Sequence, residues 1–225
     1  MKTAQVEHWR GDFGRAYTDR NSLTPHELDA LYRKNYGVGR AELNQRFLAD
    51  VPRNARILEV GCNEGNQLCA LREMGFEHLY GIEIQDYALR KARARLRNAQ
   101  LALATAFEIP YPDGFFDLVF TSGVLIHLAP ADLPKALREI HRCSRKFIWG
   151  FEYYSPQPTE VRYRGHLSLL WKADYAGLYL DLFDDLDPVR VERIPYLGDT
   201  NVDSMFLLSR RQDGVAPAGA DIGPR

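Results

Sequence analysis

Between residues 56 and 151 the chain alternates two hydrophobic patterns. Short apolar runs at 56–60, 79–84, 101–106, 117–121 and 147–151 are too brief for helices and are bounded by Gly or charged residues, which predicts strands. Between them lie stretches of helical period. One runs over 67–74 and is closed by Gly75, another over 87–98 carries Leu89, Ala92 and Leu96 at i, i+3 and i+7, and a third spans roughly 132–143. Strand and helix alternating at this spacing predict parallel βαβ units.

The pattern differs on either side. The first fifty residues read as helical: Thr24 and Glu27 form a capping box with Pro25 at the first helical position, and Gly37 ends that helix. A second helical stretch begins at Arg40 and stops before Pro52. After a helix around 173–183, strands at 188–194 and 202–209 are separated only by YLGDTN, so they should pair antiparallel. The expectation is an α/β fold with a seven-stranded, mostly parallel sheet, an antiparallel final strand pair and a helical N-terminal cap. Residues 1–50 form the cap, 51–211 the sheet domain, and the Gly/Pro-rich stretch 212–225 a disordered tail.

Composition narrows the function classes. The 225 residues carry 29 Lys+Arg against 30 Asp+Glu, a net charge of −1, which lacks the basic footprint of a nucleic-acid binder. No apolar run approaches the roughly 20 residues of a membrane span, and the N-terminus lacks a signal-peptide core. Cys62, Cys69 and Cys143 are scattered without metal-ligand spacing. A cytoplasmic protein is expected, a monomer or homodimer acting on a small molecule, with no metal, nucleic acid or membrane.

The sharpest local signal is Leu58-Glu59-Val60-Gly61-Cys62-Asn63-Glu64-Gly65-Asn66, a Gly-bearing turn between a strand and a helix. Such a turn admits a ligand to backbone contact and aims amide N–H groups at it. Glu83 ends the next strand, where a carboxylate can accept ribose hydroxyls. The dinucleotide fingerprint is absent, since Asn63 and Asn66 stand where it requires glycine. Glu59 beside the turn would repel a pyrophosphate but accept an ammonium. An S-adenosylmethionine site therefore suits the loop better than a nicotinamide dinucleotide site.

The chain resembles the class I S-adenosylmethionine-dependent methyltransferases. The residues that carry this are EVGCNEG, with Asn63 in place of the family's central Gly, and the stretch Glu108–Val119 (EIPYPDGFFDLV). The resemblance implies that Glu59, Gly61, Cys62, Asn63, Gly65, Glu83, Ile84, Ala106, Phe107 and Ser122 contact the cofactor, which is released as S-adenosylhomocysteine. Where the family often has an Asp for the adenine, this chain has Thr105-Ala106-Phe107. Together HWRGDFGRAYTDRN, EVGCNEGNQL, YGIEI, FTSGVLIHL, EYY and YRGH resemble the pseudaminic acid biosynthesis-associated methylase family. That likeness implies a sugar or amino-sugar acceptor, nonulosonic in type, methylated on oxygen or nitrogen.

Acceptor residues should lie at the C-terminal strand ends. His127 follows the fourth strand and reads either as a general base or as a packed core histidine. Glu152, Tyr153 and Tyr154 end the fifth strand, as acceptor ligands or as satisfied surface groups. Arg162, Arg164 and His166 follow, as an anion clamp or as a solvated loop. In the cap, Trp9, Phe13, Tyr17, Arg20 and Asn21 suit a lid or plain helix packing. Arg90, Lys91, Arg93, Arg95 and Arg97 read as a solvated helix face. The catalytic candidates are thus His127, Glu152 and Tyr153. Substrate candidates are Tyr17, Arg20, Asn21, Tyr154, Arg162, Arg164 and His166. Two rival readings remain open at this stage: methylation of a carboxylate, phosphonate or amine, and a catalytically silent cofactor-binding subunit.

Overall fold

The computed structural model describes residues 3–211, so the tail expected at 212–225 lies outside the described residues. Four helices come first: α1 (Ala4–Arg10), α2 (Asp12–Arg20), α3 (Pro25–Tyr36) and α4 (Arg40–Leu48). The alternating segment follows as β1 (Arg56–Val60), α5 (Asn66–Glu73), β2 (His78–Glu83), α6 (Asp86–Arg95), β3 (Gln100–Leu103), β4 (Phe116–Ser122), α7 (Leu133–Cys143) and β5 (Ser144–Tyr153). The chain closes with β6 (Thr159–Glu160), β7 (Trp171–Lys172), α8 (Tyr175–Leu182), β8 (Leu186–Pro195) and β9 (Val202–Arg210).

One sheet of seven strands has the order β3-β2-β1-β4-β5-β9-β8. The first five pair in parallel; β9 runs antiparallel to both β5 and β8. The strand direction of travel reverses between β1 and β4, the switch point where doubly wound sheets open a crevice at their C-terminal edge. Alternate residues of each strand feed opposite layers, as the two-residue strand period requires. Leu58, Val119, Ile148 and Leu208 join α7 and α8 on one face. Ile57, Leu118, Trp149 and Leu207 join α3, α4 and α5 on the other. Both faces are covered, which is why the strands read as nearly continuous apolar runs.

The capping box predicted for α3 is formed: Glu27 N–H donates to Thr24 Oγ1 at 3.2 Å and Thr24 N–H to Glu27 Oε2 at 2.8 Å. The helices of the cap do two jobs. Leu28, Leu43, Phe47 and Leu48 of α3 and α4 belong to the sheet's own core. By contrast α1 and α2 lie over the sheet's C-terminal edge, packed so closely that a Cβ on Gly14 would sit 1.8 Å from the Trp9 carbonyl oxygen. Two features went unread in the sequence: the β6–β7 ribbon and the 3-10 turn Leu125–His127. Lys91 and Arg95 correct the solvated-face expectation for α6. They turn inward to fully buried Glu64, at 3.2 and 2.7 Å, because a buried carboxylate needs counter-charges.

Candidate active site

A cavity of 430 Å³ opens at the C-terminal edge of the sheet, roofed by α1 and α2. The strand order sets its layout. Glu83 ends β2, Glu59 stands near the end of β1, Ser122 ends β4, Glu152 and Tyr153 end β5, and Asp203 begins antiparallel β9. All six line the cavity. With strands about 4.8 Å apart, the row from β2 to β9 spans about 19 Å.

At the β2–β1 end the wall is mostly backbone. Gly61 adopts φ +74, and a Cβ there would meet Val124 Cγ2 at 2.7 Å. Asn63 also takes a left-handed φ of 48, a conformation that Asn tolerates best after Gly. The residue that replaces the family's central Gly therefore keeps its backbone, and its Oδ1 accepts a hydrogen bond from the Thr18 hydroxyl of α2 at 2.8 Å. Glu83 accepts backbone N–H groups of Asn63, Ile84 and Gln85, each at 2.8 Å. Three of its roughly four lone-pair positions are thereby filled, which fixes the carboxylate and leaves one lone pair of Oε2 free. Glu59 is pushed well above the usual carboxylate range by burial, against the pull of the Arg40 guanidinium. Its Oε2 is buried without a partner. Cys62, Asn63, Ile84, Thr105, Ala106 and Phe107 complete this end. Gly65 stands back from the wall as the N-cap of α5.

The β5–β9 end is built from side chains. Burial pushes the Glu152 carboxyl up to about 7, although it accepts from the backbone N–H groups of Val124 and Ile126 at 3.1 and 3.4 Å. His127 is held down at about 4 by burial. Its Nδ1 lies 2.7 Å from the Leu169 carbonyl oxygen. That oxygen only accepts, so Nδ1 carries the proton and Nε2 is left as the basic nitrogen. Trp9 packs 4.4 Å from the imidazole, centroid to centroid. Tyr17, Asn21, Tyr153 and Tyr163 are on the wall as well; the Asn21 amide is occupied by the Tyr17 carbonyl at 2.8 Å.

The structure does not bring every candidate here. Arg20 is exposed at the end of α2, and Tyr154 lies beneath the Arg193 guanidinium, 3.6 Å from ring centroid to carbon. Arg162, Arg164 and His166 sit in an exposed bulge, with Arg162 donating to the Gly165 carbonyl at 3.2 Å and His166 packed 5.1 Å from His8. None of the five is on the cavity wall, so no anion clamp is assembled. Among the wall residues that escaped sequence reasoning are Tyr32, Tyr36, Tyr196 and Asp203. The register pairing Tyr153 with Asp203 follows from the antiparallel β5–β9 pair, but only once that pairing is known.

Behind the wall lies Arg40, 1% exposed. Its Nε donates to Asn44 at 2.7 Å and its Nη1 to the hydroxyls of Tyr32 and Ser122 at 2.8 and 3.3 Å. Its charge favours ionised Glu59 and ionised Asp203. Among the described residues no three His, Cys, Asp or Glu side chains gather to hold a metal ion, and no helix is long and apolar enough to cross a membrane.

Residues 58–146 match the family described as "Methyltransferase domain". An uncharacterized methyltransferase of Schizosaccharomyces pombe is 32% identical over 111 residues, covering 44% of this chain and 39% of that one. The chain spans about two fifths of the length of such curated relatives. Among solved structures, the Burkholderia thailandensis 1,6-didemethyltoxoflavin-N1-methyltransferase, with bound 1,6-didemethyltoxoflavin and S-adenosylhomocysteine, superposes with a TM-score of 0.70 at 16% identity, over 94% of this chain and 92% of that one. The magnesium protoporphyrin IX methyltransferase of Synechocystis, with bound S-adenosylmethionine, gives 0.69 at 11% identity, over 93% and 99%. Residues 58–146 are thus similar to a methyltransferase domain, and the chain shares the Rossmann-like fold of these solved structures.

Proposed function

We propose that this protein transfers a methyl group from S-adenosylmethionine to the hydroxyl or amino group of a small polar acceptor, such as a sugar or amino sugar. The observation that carries the cofactor half is the unpartnered, buried Glu59 Oε2 facing a left-handed turn one strand away from Glu83. An amino-acid ammonium supplies the charge that Glu59 lacks, and the free Glu83 lone pair suits a ribose hydroxyl. Thr105, with Ala106 and Phe107, stands where an adenine would lie. When bound, S-adenosylmethionine supplies an electrophilic methyl on sulfur and leaves as S-adenosylhomocysteine.

The chain's own contribution is position and a proton acceptor. Residues at the ends of β4 and β5 hold the acceptor in line, an effect worth about 7–11 kcal/mol in favourable cases. A nucleophile that carries a proton must also lose it. Glu152, pushed up to about 7, is matched to neutral pH, whereas His127 at about 4 is a weak base there. We assign the proton to Glu152 and a positioning hydrogen bond to His127 Nε2. The left-handed Asn63 backbone supports a working cofactor loop rather than a silent binding subunit.

Thermal unfolding with S-adenosylhomocysteine, against a nicotinamide dinucleotide control, tests the cofactor half. At 100 times its dissociation constant the ligand should add about 2.7 kcal/mol and raise the melting temperature by several degrees. A folded sample with no shift overturns the proposal.

A further inference from the structure

Four carboxylates, Glu59, Glu83, Glu152 and Asp203, line the cavity, and among the described residues no Lys or Arg does. Glu59 and Glu83 are accounted for by the proposed cofactor and Glu152 by the proton. Asp203 is left, two strands beyond the switch point.

Asp203 is only 2% exposed. Its Oδ2 accepts from the Tyr36 hydroxyl at 2.5 Å, while Oδ1 is buried with no partner. Three rings surround it: Tyr36 and Tyr196 have centroids 4.6 Å apart, and Tyr153 lies 6.1 Å from Tyr196. The Tyr196 hydroxyl stands 2.7 Å from that of Tyr36, so the phenols bond to one another and to the carboxylate. Neither cation that influences Asp203 reaches the wall: Arg40 is held by Tyr32, Asn44 and Ser122 through Nε and Nη1, with Nη2 buried and unpartnered, and Lys172 is bonded to Asn201 with Nζ 5.6 Å from the Tyr153 ring centroid. Burial raises the Asp203 carboxyl to about 6, a direction that an arriving cation would reverse.

A buried carboxylate on a cavity wall, with one oxygen lacking a donor and aromatic rings around it, is the arrangement that selects an ammonium group. The carboxylate supplies a charge-assisted hydrogen bond, and the negative ring faces attract the same charge. A carboxylate or phosphate ligand would meet a wall that carries four carboxyl groups and, among the described residues, no Lys or Arg. We propose that the acceptor carries a protonated amine that docks on Asp203 between Tyr36, Tyr153 and Tyr196, with its nucleophile lying back along β5 towards Glu152. This rests on the methyltransferase reading and selects within it: amine-bearing acceptors are taken and acidic ones refused.

The test is a ligand-observed NMR titration of the full chain, saturated with S-adenosylhomocysteine, using glucosamine, glucose and glucuronate as matched probes. Glucosamine is expected to bind about tenfold more tightly than glucose, and glucuronate most weakly. Asp203→Asn should erase the preference for glucosamine while S-adenosylhomocysteine still binds. Should that variant fail to fold, the Tyr196 pair carries the test. Tyr196→Phe keeps the ring and should keep the preference, and Tyr196→Leu should lose most of it. Glucuronate binding as tightly as glucosamine overturns the inference, as does a preference that survives Asp203→Asn or Tyr196→Leu. Wild-type protein that binds no S-adenosylhomocysteine overturns the methyltransferase reading itself, a result visible before any sugar is added.

Discussion

The two ends of the cavity are made in different ways. The β2–β1 end is made of short local segments: residues 59–63 and 83–85 supply a turn, its amides and two carboxylates, and the side chains mainly fix the backbone. The β5–β9 end is assembled from α2, α3, β5, the segment before β9 and β9 itself, so Tyr17, Tyr36, Tyr153, Tyr196 and Asp203 meet only in the folded molecule. Backbone cradles depend on local geometry and can be shared by many proteins. A wall of distant side chains can change one residue at a time, which is how one scaffold comes to accept different molecules.

The largest expected effect separates the two ends cleanly. Glu152→Gln should lower kcat by about 10²–10⁴-fold for an acceptor that must lose a proton. It should also remove the rising limb of the pH–rate profile near 7, while calorimetric affinity for S-adenosylhomocysteine stays unchanged. Equal losses in both would mean that the ends are not separable. Glu83→Ala strips three loop amides of their acceptor and should weaken S-adenosylhomocysteine by about 100-fold in calorimetry.

The pH dependence of stability is smaller. The folded Glu152 carboxyl titrates near 7, above its ordinary 4.5. Its burial is therefore tolerated fully below about pH 4.5 and becomes a growing penalty as pH rises through 7. Between pH 5 and 8 the cofactor-free protein should lose about 2–3 kcal/mol from this group, a slope that urea titrations of Glu152→Gln should not show. Arg40→Met should cost about 1–3 kcal/mol in urea unfolding, because it strips Asn44, Tyr32 and Ser122 of a buried donor. Smallest is Asn63→Gly, which keeps the left-handed turn but drops the Thr18 hydrogen bond. A loss of about 1 kcal/mol and little change in cofactor affinity are expected.

What the sequence disclosed follows the same division. The seven sheet strands, the capped α3 helix and the antiparallel final pair were legible because hydrophobic period, caps and turns are local. So was the EVGCNEG loop, since its chemistry lies within a few residues. Arg40 was not, because a buried guanidinium on a helix has no local signature and its partners Tyr32 and Ser122 come from other elements. Asp203 was missed for the same reason: its neighbour Tyr36 is 167 residues away. Arg162 and Arg164 show the converse. Paired guanidiniums suggest an anion site until the backbone turns them to solvent, here with Arg164 at φ 48.

The ties of α1–α3 to later chain also set an order of events during synthesis. Gln5 bonds to Ser168, Trp9 packs on His127, and Tyr36 bonds to Asp203. At about 5–20 residues per second, a ribosome needs on the order of 8–30 s to make the 167 residues from Tyr36 to Asp203. Throughout that interval α1 and α2 exist ahead of part of the surface they roof. The roof of the cavity is therefore synthesised well before the wall that it covers.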